Sequence, residues 1–97
     1  MTSEMTRWRR HLHTIPELGF EEQKTSEFIA KKLNAWGIKH YTKMAKTGIV
    51  ASIKGNKGNS SKSIGLRADI DALPIEEKNN FAYKSLNKGV SHKCGHD

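Results

Sequence analysis

Apolar residues recur at helical spacing along the first part of the chain. They stand three or four positions apart, at Met5, Trp8, Leu12 and Ile15. This spacing predicts an amphipathic helix, because residues three or four apart share one helix face. Ser3 is a suitable N-cap for that helix, and Pro16 is expected to end it, because a proline has no N–H for the helical hydrogen bond.

A second helix is predicted after the segment that begins at Pro16. Ile29, Leu33 and Trp36 stand at positions i, i+4 and i+7 and form one apolar stripe. Gly37 follows this stripe directly, and a glycine readily adopts the left-handed backbone conformation that ends many helices. We therefore expect the second helix to end just before Gly37.

Beyond Gly37 the pattern becomes that of strands. Residues 48–54 are short and rich in β-branched side chains, which predicts a strand. In residues 64–71 apolar and polar positions alternate, which predicts another strand that Pro74 ends. Residues 76–90 are polar and predict a loop with a short strand. The side chains that the alternation places together, on one side of the second strand and its exit, are Arg67, Asp69 and Asp71.

Helices followed by short strands indicate an α/β layer. The 97 residues suffice for one small domain, but a hydrophobic content of 35% is lean for a core. The predicted strands are also too few for a complete sheet. We therefore expect an α/β fold that is incomplete within this chain.

The chain is strongly basic, and its charge is unevenly distributed. The formal net charge is +7, and no Asp or Glu occurs from Phe28 to Ala68, where nine Lys and Arg residues lie. Such a surface can bind nucleic acid or an acidic partner. Most of these residues are separate lysines, and no zinc-finger, RNA-recognition or helix-turn-helix pattern accompanies them. We favour a solvated lysine-rich surface, with a small basic binding module for nucleic acid or an acidic partner as the alternative function.

Cysteine content and hydropathy give expectations for the cellular location of the protein. Cys94 is the one cysteine, so no disulfide can form within the chain, and a cytoplasmic location is expected. The first residues contain no apolar run typical of a signal peptide. No stretch approaches the ~20 apolar residues of a membrane span, so we expect no membrane contact.

Cys94 and His96 are the sharpest chemical feature of the sequence. Thiolate and imidazole both bind zinc and its neighbours in the first transition series. Gly95 lies between them and permits a tight turn that brings both side chains to one point. Taken alone, these residues fit metal binding and coincidence equally well. A zinc finger is not expected, because a structural site needs four protein ligands and a second cysteine pair is absent.

Asp69 and Asp71 form a second feature, at the end of a predicted strand. Open α/β sheets bind ligands at this edge, where a carboxylate can orient a metal-binding histidine or contact the metal itself. For two aspartates considered alone, a surface pair that caps a turn is the more frequent outcome.

Four segments considered in order carry more information than any one of them. RRHLHTIPELGFEE, TGIVASIKG, RADIDALPIEE and HKCGHD together resemble the N-acyl-amino-acid amidohydrolase family, which includes hippurate hydrolases and auxin-conjugate hydrolases. The resemblance extends from Arg9 to Asp97. Agreement of four motifs in one order argues against coincidence.

The resemblance implies a site. It assigns Cys94 and His96 as ligands of a centre of two divalent metal ions (Zn, Mn, Co or Ni). It also implies that Asp71, the second aspartate of the Ala-Asp-x-Asp-Ala-Leu-Pro motif, supports this centre. Asp69 is not assigned as a ligand, because the wider superfamily has a metal-binding histidine at that position. Lys93 departs from the family pattern, in which this position is more often small.

The resemblance further implies a mixed-sheet, zinc-peptidase-like catalytic domain. Residues 1–97 would be its N-terminal portion, without the second domain that serves as lid or dimerisation unit. The complete enzyme would hydrolyse small N-acyl amino acids to a carboxylate and a free amino acid, and the resemblance leaves room for a homo-oligomer. The general base and the remaining ligands of the family lie beyond the position of Asp97, so we expect the 97-residue chain to be inactive.

Several other polar residues are interpreted as structural. His11 and His13 are expected to serve the basic surface of the first helix and its docking, and the resemblance gives His92 no ligand role. Acidic residues before the second helix are expected to cap it and to place negative charge at its start. These residues are Glu17, Glu21 and Glu22.

Overall fold

The computed structural model describes residues 2–55, 58 and 61–95. Two helices come first, α1 at Thr2–Thr14 and α2 at Gln23–Ala35. Two strands follow, β1 at Lys39–Met44 and β2 at Gly48–Ser52. The remaining described residues run as turns, bends and extended segments joined by two isolated β-bridges. The expected α/β organisation is therefore confirmed.

Both predicted helices are present. In the described residues α1 already includes Thr2, so Ser3 lies inside the helix and its prediction as the N-cap is wrong. The backbone N–H of Ile15 still bonds to the carbonyl of Leu12, 3.1 Å away, and the buried Pro16 follows it. As predicted, α1 ends just before this proline.

The end of α2 follows the expected chemistry. Gly37 has a φ of +69°, a conformation that glycine adopts without the clash a Cβ would cause. Its N–H bonds to the carbonyl of Asn34 at 3.1 Å, and that of Ile38 bonds to the carbonyl of Leu33 at 2.9 Å. This pair of bonds is a Schellman motif, which satisfies carbonyls that the last helical turn leaves without partners.

Aromatic rings join the two helices. The ring centroids of Trp8 and Trp36 lie 5.4 Å apart, and those of His11 and Phe28 lie 4.7 Å apart. The ammonium group of Lys32 lies over the Trp8 ring at 5.5 Å. The predicted apolar stripe of α2 thus contacts α1 at its C-terminal end, through Trp36.

The two strands form an antiparallel hairpin in which Lys39 pairs with Ser52 and Met44 with Gly48. The strand predicted for residues 48–54 is confirmed as β2, over Gly48–Ser52. β1 was not predicted, because its sequence KHYTKM is polar and shows no clear apolar alternation. A short polar strand forms here because β2 supplies its hydrogen bonds.

The strand predicted for residues 64–71 is absent from this structure. None of residues 61–71 is in a strand, and Ile64 and Leu66 are exposed, Leu66 to 96%. A strand forms only where a neighbouring strand accepts and donates its backbone bonds, and within the described residues nothing pairs with this segment. The short strand expected within residues 76–90 is also wrong, because no residue in that range is in a strand.

Little apolar surface is buried in the described residues. Ala72 is buried at 3% exposure and Pro16 is fully buried, whereas several larger side chains such as Phe20 and Ile53 are exposed. The other buried residues are polar: His13, Glu22, Thr25, Thr47, Glu77 and Ser91. Hydrogen bonds between distant polar groups therefore hold much of this structure in place. No helix in the described part of the chain has the length and apolarity to cross a membrane.

Candidate functional site

The segments that carry the predicted site residues meet through backbone hydrogen bonds. The N–H of Ala72 bonds to the carbonyl of Glu17 at 2.7 Å, within a parallel bridge between Leu18 and Ala72. Leu73 and Ser91 exchange two bonds of 3.0 and 3.1 Å. Residues 71–73 therefore lie between the segment that precedes α2 and the segment that leads to Cys94.

Asp71 lies at the start of this central segment. Its side chain is exposed, and a Cβ added at Gly19 would stand 3.7 Å from its Oδ2 atom. Asp69 and Asp71 both line a cleft of about 420 Å³, and Glu22 and Thr47 contribute to the same cleft.

The predicted grouping of Arg67, Asp69 and Asp71 is reproduced in part. The guanidinium of Arg67 lies 2.9 Å from the Asp69 carboxylate, as expected for residues two apart on one side of an extended chain. Both side chains are substantially exposed, so this ion pair adds little stability. All three residues line the same cleft. Asp69 differs from Asp71 in that its carboxylate forms an ion pair with Arg67.

Cys94 is a free, exposed thiol. Gly95 follows it with a φ of +86°, which fits the tight turn that the sequence predicted there. His96, the second predicted ligand, lies outside the described residues. His92 is half-buried, and its ring centroid lies 6.2 Å from that of His13.

The donor types in this region suit a transition metal. Thiolate is a soft ligand that zinc and its neighbours accept, and carboxylates bind such metals or orient their ligands. Across residues 2–55, 58 and 61–95, no three His, Cys, Asp or Glu side chains come together in a way that could hold an ion. The described part of the chain thus contains the exposed Cys94 and Asp71, two residues whose roles stay predictions, but no complete metal centre.

Glu17 connects the Asp71 segment to α2. Its carboxylate accepts hydrogen bonds from the N–H of Lys24 at 3.0 Å, and from the N–H and hydroxyl of Thr25 at 2.7 and 2.8 Å. These bonds satisfy donors of the first turn of α2, which confirms Glu17 as a helix cap. Because the Glu17 carbonyl also binds the N–H of Ala72, one residue holds α2 and the site segment together.

Glu22 is structural as well, in a different way. Its carboxylate makes no capping bond at the start of α2. Instead it accepts a hydrogen bond from the hydroxyl of Thr47 at 2.8 Å, in the turn between β1 and β2. The hairpin is thereby held against the start of α2, where it borders the cleft that contains Asp71. Glu21 is exposed.

A buried ion pair next to the site was not predicted from the sequence. Nε2 of His13 lies 2.9 Å from Oε2 of Glu77, and both side chains are buried. Of the two roles expected for His13, the place on the basic surface of α1 is wrong, because the side chain is buried. The expected docking role is confirmed by its bond to Glu77. Sequence pattern gave no signal for this contact, because the two residues are 64 positions apart and neither lies on an apolar stripe.

Glu77 remains charged despite its burial. Burial alone would raise the pKa of its carboxyl, but hydrogen bonds from His13, the N–H of Ser85 and the side chain of Asn79 outweigh it. Together with a smaller coulombic contribution from His13, they lower the pKa of Glu77 from 4.5 to about 2. Hydrogen bonds to an ionised carboxylate stabilise it strongly, so this group is a firm attachment point.

Relatives of this chain are hydrolases of N-acyl compounds. Hippurate hydrolase of Campylobacter jejuni is 47% identical over 97 residues, covering all of this chain and 25% of that protein. An N-acyl-L-amino acid amidohydrolase of Geobacillus stearothermophilus is 44% identical over 90 residues, covering 93% of this chain and 24% of that protein. The chain therefore spans about a quarter of the length of the curated relatives it matches. No protein-family model matches it.

The fold also matches a solved structure. A Bacillus subtilis protein described as a dinuclear metal-binding peptidase of the M20 family superposes with a TM-score of 0.87 at 40% sequence identity. The match covers 97% of this chain and 26% of that one. Almost the whole chain therefore shares its backbone arrangement with about a quarter of that structure.

Proposed function

Because this chain belongs to the N-acyl-amino-acid amidohydrolases of the M20 family over the quarter of their length that it spans, we propose that the full-length protein is a metal-dependent amidohydrolase. It would hydrolyse an N-acyl amino acid to a carboxylate and a free amino acid. The identity of 47% over the whole chain with a hippurate hydrolase is the observation that carries this proposal. The lone cysteine supports a cytoplasmic setting, where thiols stay reduced.

The proposed substrate class is the one that the relatives' names share. They are named for hippurate, N-acyl-L-amino acids, N-acetyl-L-cysteine and N-acetyldiaminopimelate. All these compounds contain an amide between an acyl group and the nitrogen of an amino acid. The acyl groups and side chains differ widely, so the amide and the amino-acid carboxylate are the common features for recognition.

We propose Cys94 and His96 as metal ligands and Asp71 as their supporting carboxylate. When bound, two divalent metals polarise a carbonyl and lower the pKa of a bound water to about 7. Cys94 would bind as a thiolate and His96 through a neutral ring nitrogen, since both must lose a proton to be ligands. Asp71 would accept the remaining N–H of a ligating imidazole and thereby fix the orientation of that ring. The exposure of Cys94 and Asp71 supports this role, because both side chains are free to face a ligand.

The 97-residue chain by itself is proposed to be inactive. The part of the chain that the structure describes brings no three potential metal ligands together. Turnover of hippurate by the purified 97-residue chain, above a blank that contains metal alone, would contradict this proposal.

The experiment that tests the function uses the full-length protein. We expect the purified protein to contain about two divalent metal ions per chain and to release amino acid from hippurate or N-acetyl amino acids. Chelation should abolish turnover, and addition of Zn²⁺, Mn²⁺, Co²⁺ or Ni²⁺ should restore it. A metal-loaded protein that hydrolyses none of a panel of N-acyl amino acids would show that the proposed substrate class is wrong.

A further inference from the structure

Residues 73–91 form a loop whose two ends are joined. Leu73 and Ser91 exchange backbone hydrogen bonds of 3.0 and 3.1 Å at its base. The hydroxyl of Ser91 also donates to the carbonyl of Ile75 at 2.5 Å, and Ser91 is completely buried. We refer to residues 73–91 as the closed loop. Its ends cannot move apart unless these bonds break.

The carboxylate of Glu77 organises the interior of the closed loop. Its Oε1 atom accepts a hydrogen bond from the N–H of Ser85 at 2.6 Å, and its Oε2 atom accepts one from Asn79 at 3.1 Å. Oε2 also bonds to His13 at 2.9 Å, which joins the closed loop to α1. With an exposure of 4%, Glu77 has exchanged most of its water contacts for these protein partners.

Further bonds fix the closed loop to the end of α1. The N–H of Leu86 bonds to the carbonyl of Thr14 at 2.9 Å, and the side chain of Asn87 donates to the carbonyl of Pro16 at 2.8 Å. The position of the closed loop relative to α1 is therefore set at three points, His13, Thr14 and Pro16.

Proposed site residues flank both ends of the closed loop. Asp71 precedes Leu73 by two residues, and Cys94 follows Ser91 by three. The backbone bonds at the base of the closed loop therefore bring together the two segments that carry them. The hydrogen bonds of Glu77 reach Asn79 and Ser85 inside the closed loop and His13 on α1. The ring of His13 in turn lies 6.2 Å from that of His92, two residues before Cys94.

We infer that Glu77 is a positioning residue for the metal site, which holds the Asp71 and Cys94 segments in register through the closed loop and its bond to His13. This inference rests on the proposed function, because it presupposes that Cys94 binds metal. It concerns a residue that lies outside the proposed ligand set and acts from the far side of the closed loop.

The negative charge of Glu77 is essential to this role. A glutamine has the same shape, and its oxygen can still accept from Ser85. Its amide nitrogen, however, is a donor and cannot accept the bonds that Oε2 receives from His13 and Asn79. The loop-to-helix bond and one bond inside the closed loop would both weaken, so the two flanking segments would gain freedom.

The test compares Glu77→Gln with Glu76→Gln in the full-length protein, with Co²⁺ as the probe. Glu76 is the adjacent residue and is exposed, so its variant makes the same change of charge without the buried bonds. Thiolate ligation gives cobalt a charge-transfer absorption, and the loss of this band in Cys94→Ser would assign it to Cys94. We expect Glu77→Gln to bind Co²⁺ about tenfold or more weakly, the lower end of the loss seen when partners of metal ligands are removed, and to show a weaker charge-transfer band. Glu76→Gln should match the wild type.

The possible outcomes distinguish a failure of this inference from a failure of the proposed function. If the wild-type protein binds no Co²⁺, or shows no thiolate band that Cys94→Ser removes, the proposed metal site is wrong and this inference falls with it. If the wild type binds Co²⁺ through Cys94 and Glu77→Gln has the same affinity and spectrum, only the inference is overturned. A lower melting temperature with an unchanged cobalt spectrum would likewise overturn it, because that is the result of a purely structural role.

If Glu77→Gln does not fold, a second variant tests whether the attachment of the closed loop to α1 affects the metal site. Asn87→Ala removes one part-buried hydrogen bond between the closed loop and Pro16, and leaves Glu77 intact. It should change the cobalt affinity and spectrum in the same direction but by a smaller factor. A wild-type spectrum and affinity in a folded Asn87→Ala protein would then overturn the inference.

Discussion

At the scale of single residues, burial and hydrogen bonding act on Glu77 in opposite directions. Desolvation favours the neutral acid, whereas bonds from His13, Ser85 and Asn79 favour the carboxylate and prevail. A carboxyl whose pKa is lower in the folded state stabilises the fold wherever it is ionised. The stabilisation is fully present above pH 4.5, the ordinary value, and is lost as the pH falls towards about 2.

Glu77→Gln should therefore reduce the acid sensitivity of the fold. The fall in pKa from 4.5 to about 2 corresponds to roughly 3 kcal/mol of stability at neutral pH. The variant should lose a large part of this, and its free energy of unfolding should change less between pH 5 and pH 2 than that of the wild type. Urea unfolding at several pH values measures the difference, with Glu76→Gln as the control. Parallel pH profiles for Glu77→Gln and the wild type would contradict this account.

Three substitutions test the assignment of the metal ligands in the full-length protein. Cys94→Ser should lower both metal content and kcat, because a hydroxyl is a poor substitute for a thiolate. Asp71→Asn should lower activity by about 10–100-fold, since a neutral amide orients an imidazole less well. His92→Ala should keep its metal, although its half-buried ring next to His13 predicts some loss of stability. Measurements of metal content and kcat rank the three variants. Retention of metal by Cys94→Ser together with its loss from His92→Ala would reverse the assignment.

At the scale of elements, local signals were sufficient for the helices. The spacing of Trp8 and Leu12 and the glycine at position 37 act over a few residues, so α1, α2 and the end of α2 could be predicted. The strands and the conformation of the extended segments depend instead on contacts between residues that are distant in the sequence. β1 depends on its pairing with β2, and the segment around Leu66 is not a strand because no described segment pairs with it. The proposed site residues Asp71, Cys94 and His96 were predicted from motifs, whereas the contacts of Glu77 are not visible in the sequence pattern.

The end of α2 provides a test at this scale. Gly37→Ala would place a Cβ on a residue with a φ of +69°, which costs about 1–2 kcal/mol. We expect a lower melting temperature in the full-length protein and faster hydrogen exchange at Ile38, whose N–H closes the Schellman motif. Gly65→Ala is the matched control, because Gly65 has open space around its Cα and no positive φ. Equal melting temperatures for the two variants would show that the left-handed conformation is not maintained in solution.

At the scale of the whole molecule, the chain from His13 to Glu22 is the centre of the structure. The long-range contacts that begin there include His13 with Glu77, the Glu17 carbonyl with Ala72, and Glu22 with Thr47. They join α1 to the closed loop, α2 to the Asp71 segment, and α2 to the hairpin. Each of these contacts is a hydrogen bond between polar groups, so it fixes the relative position of the two segments. Such bonds contribute less net stability than an equal number of apolar contacts would. This explains how a site segment can be held in place with only Ala72 and Pro16 as buried apolar residues in the described ranges.

The 97-residue chain in isolation should consequently be marginally stable. Ile64 and Leu66 are exposed in a segment with no strand partner, and such segments associate readily. Hydrophobic burial is the main driving force of folding, and the described residues achieve little of it. We expect a broad thermal transition, binding of a hydrophobic dye, and concentration-dependent association in sedimentation, with the full-length protein as the reference. Replacing Leu66 by Lys should reduce the association without abolishing the far-ultraviolet signal of the helices, because that side chain contributes no buried contact. A sharp, cooperative melt from a monodisperse 97-residue monomer would show instead that the polar contacts alone suffice to hold the fold.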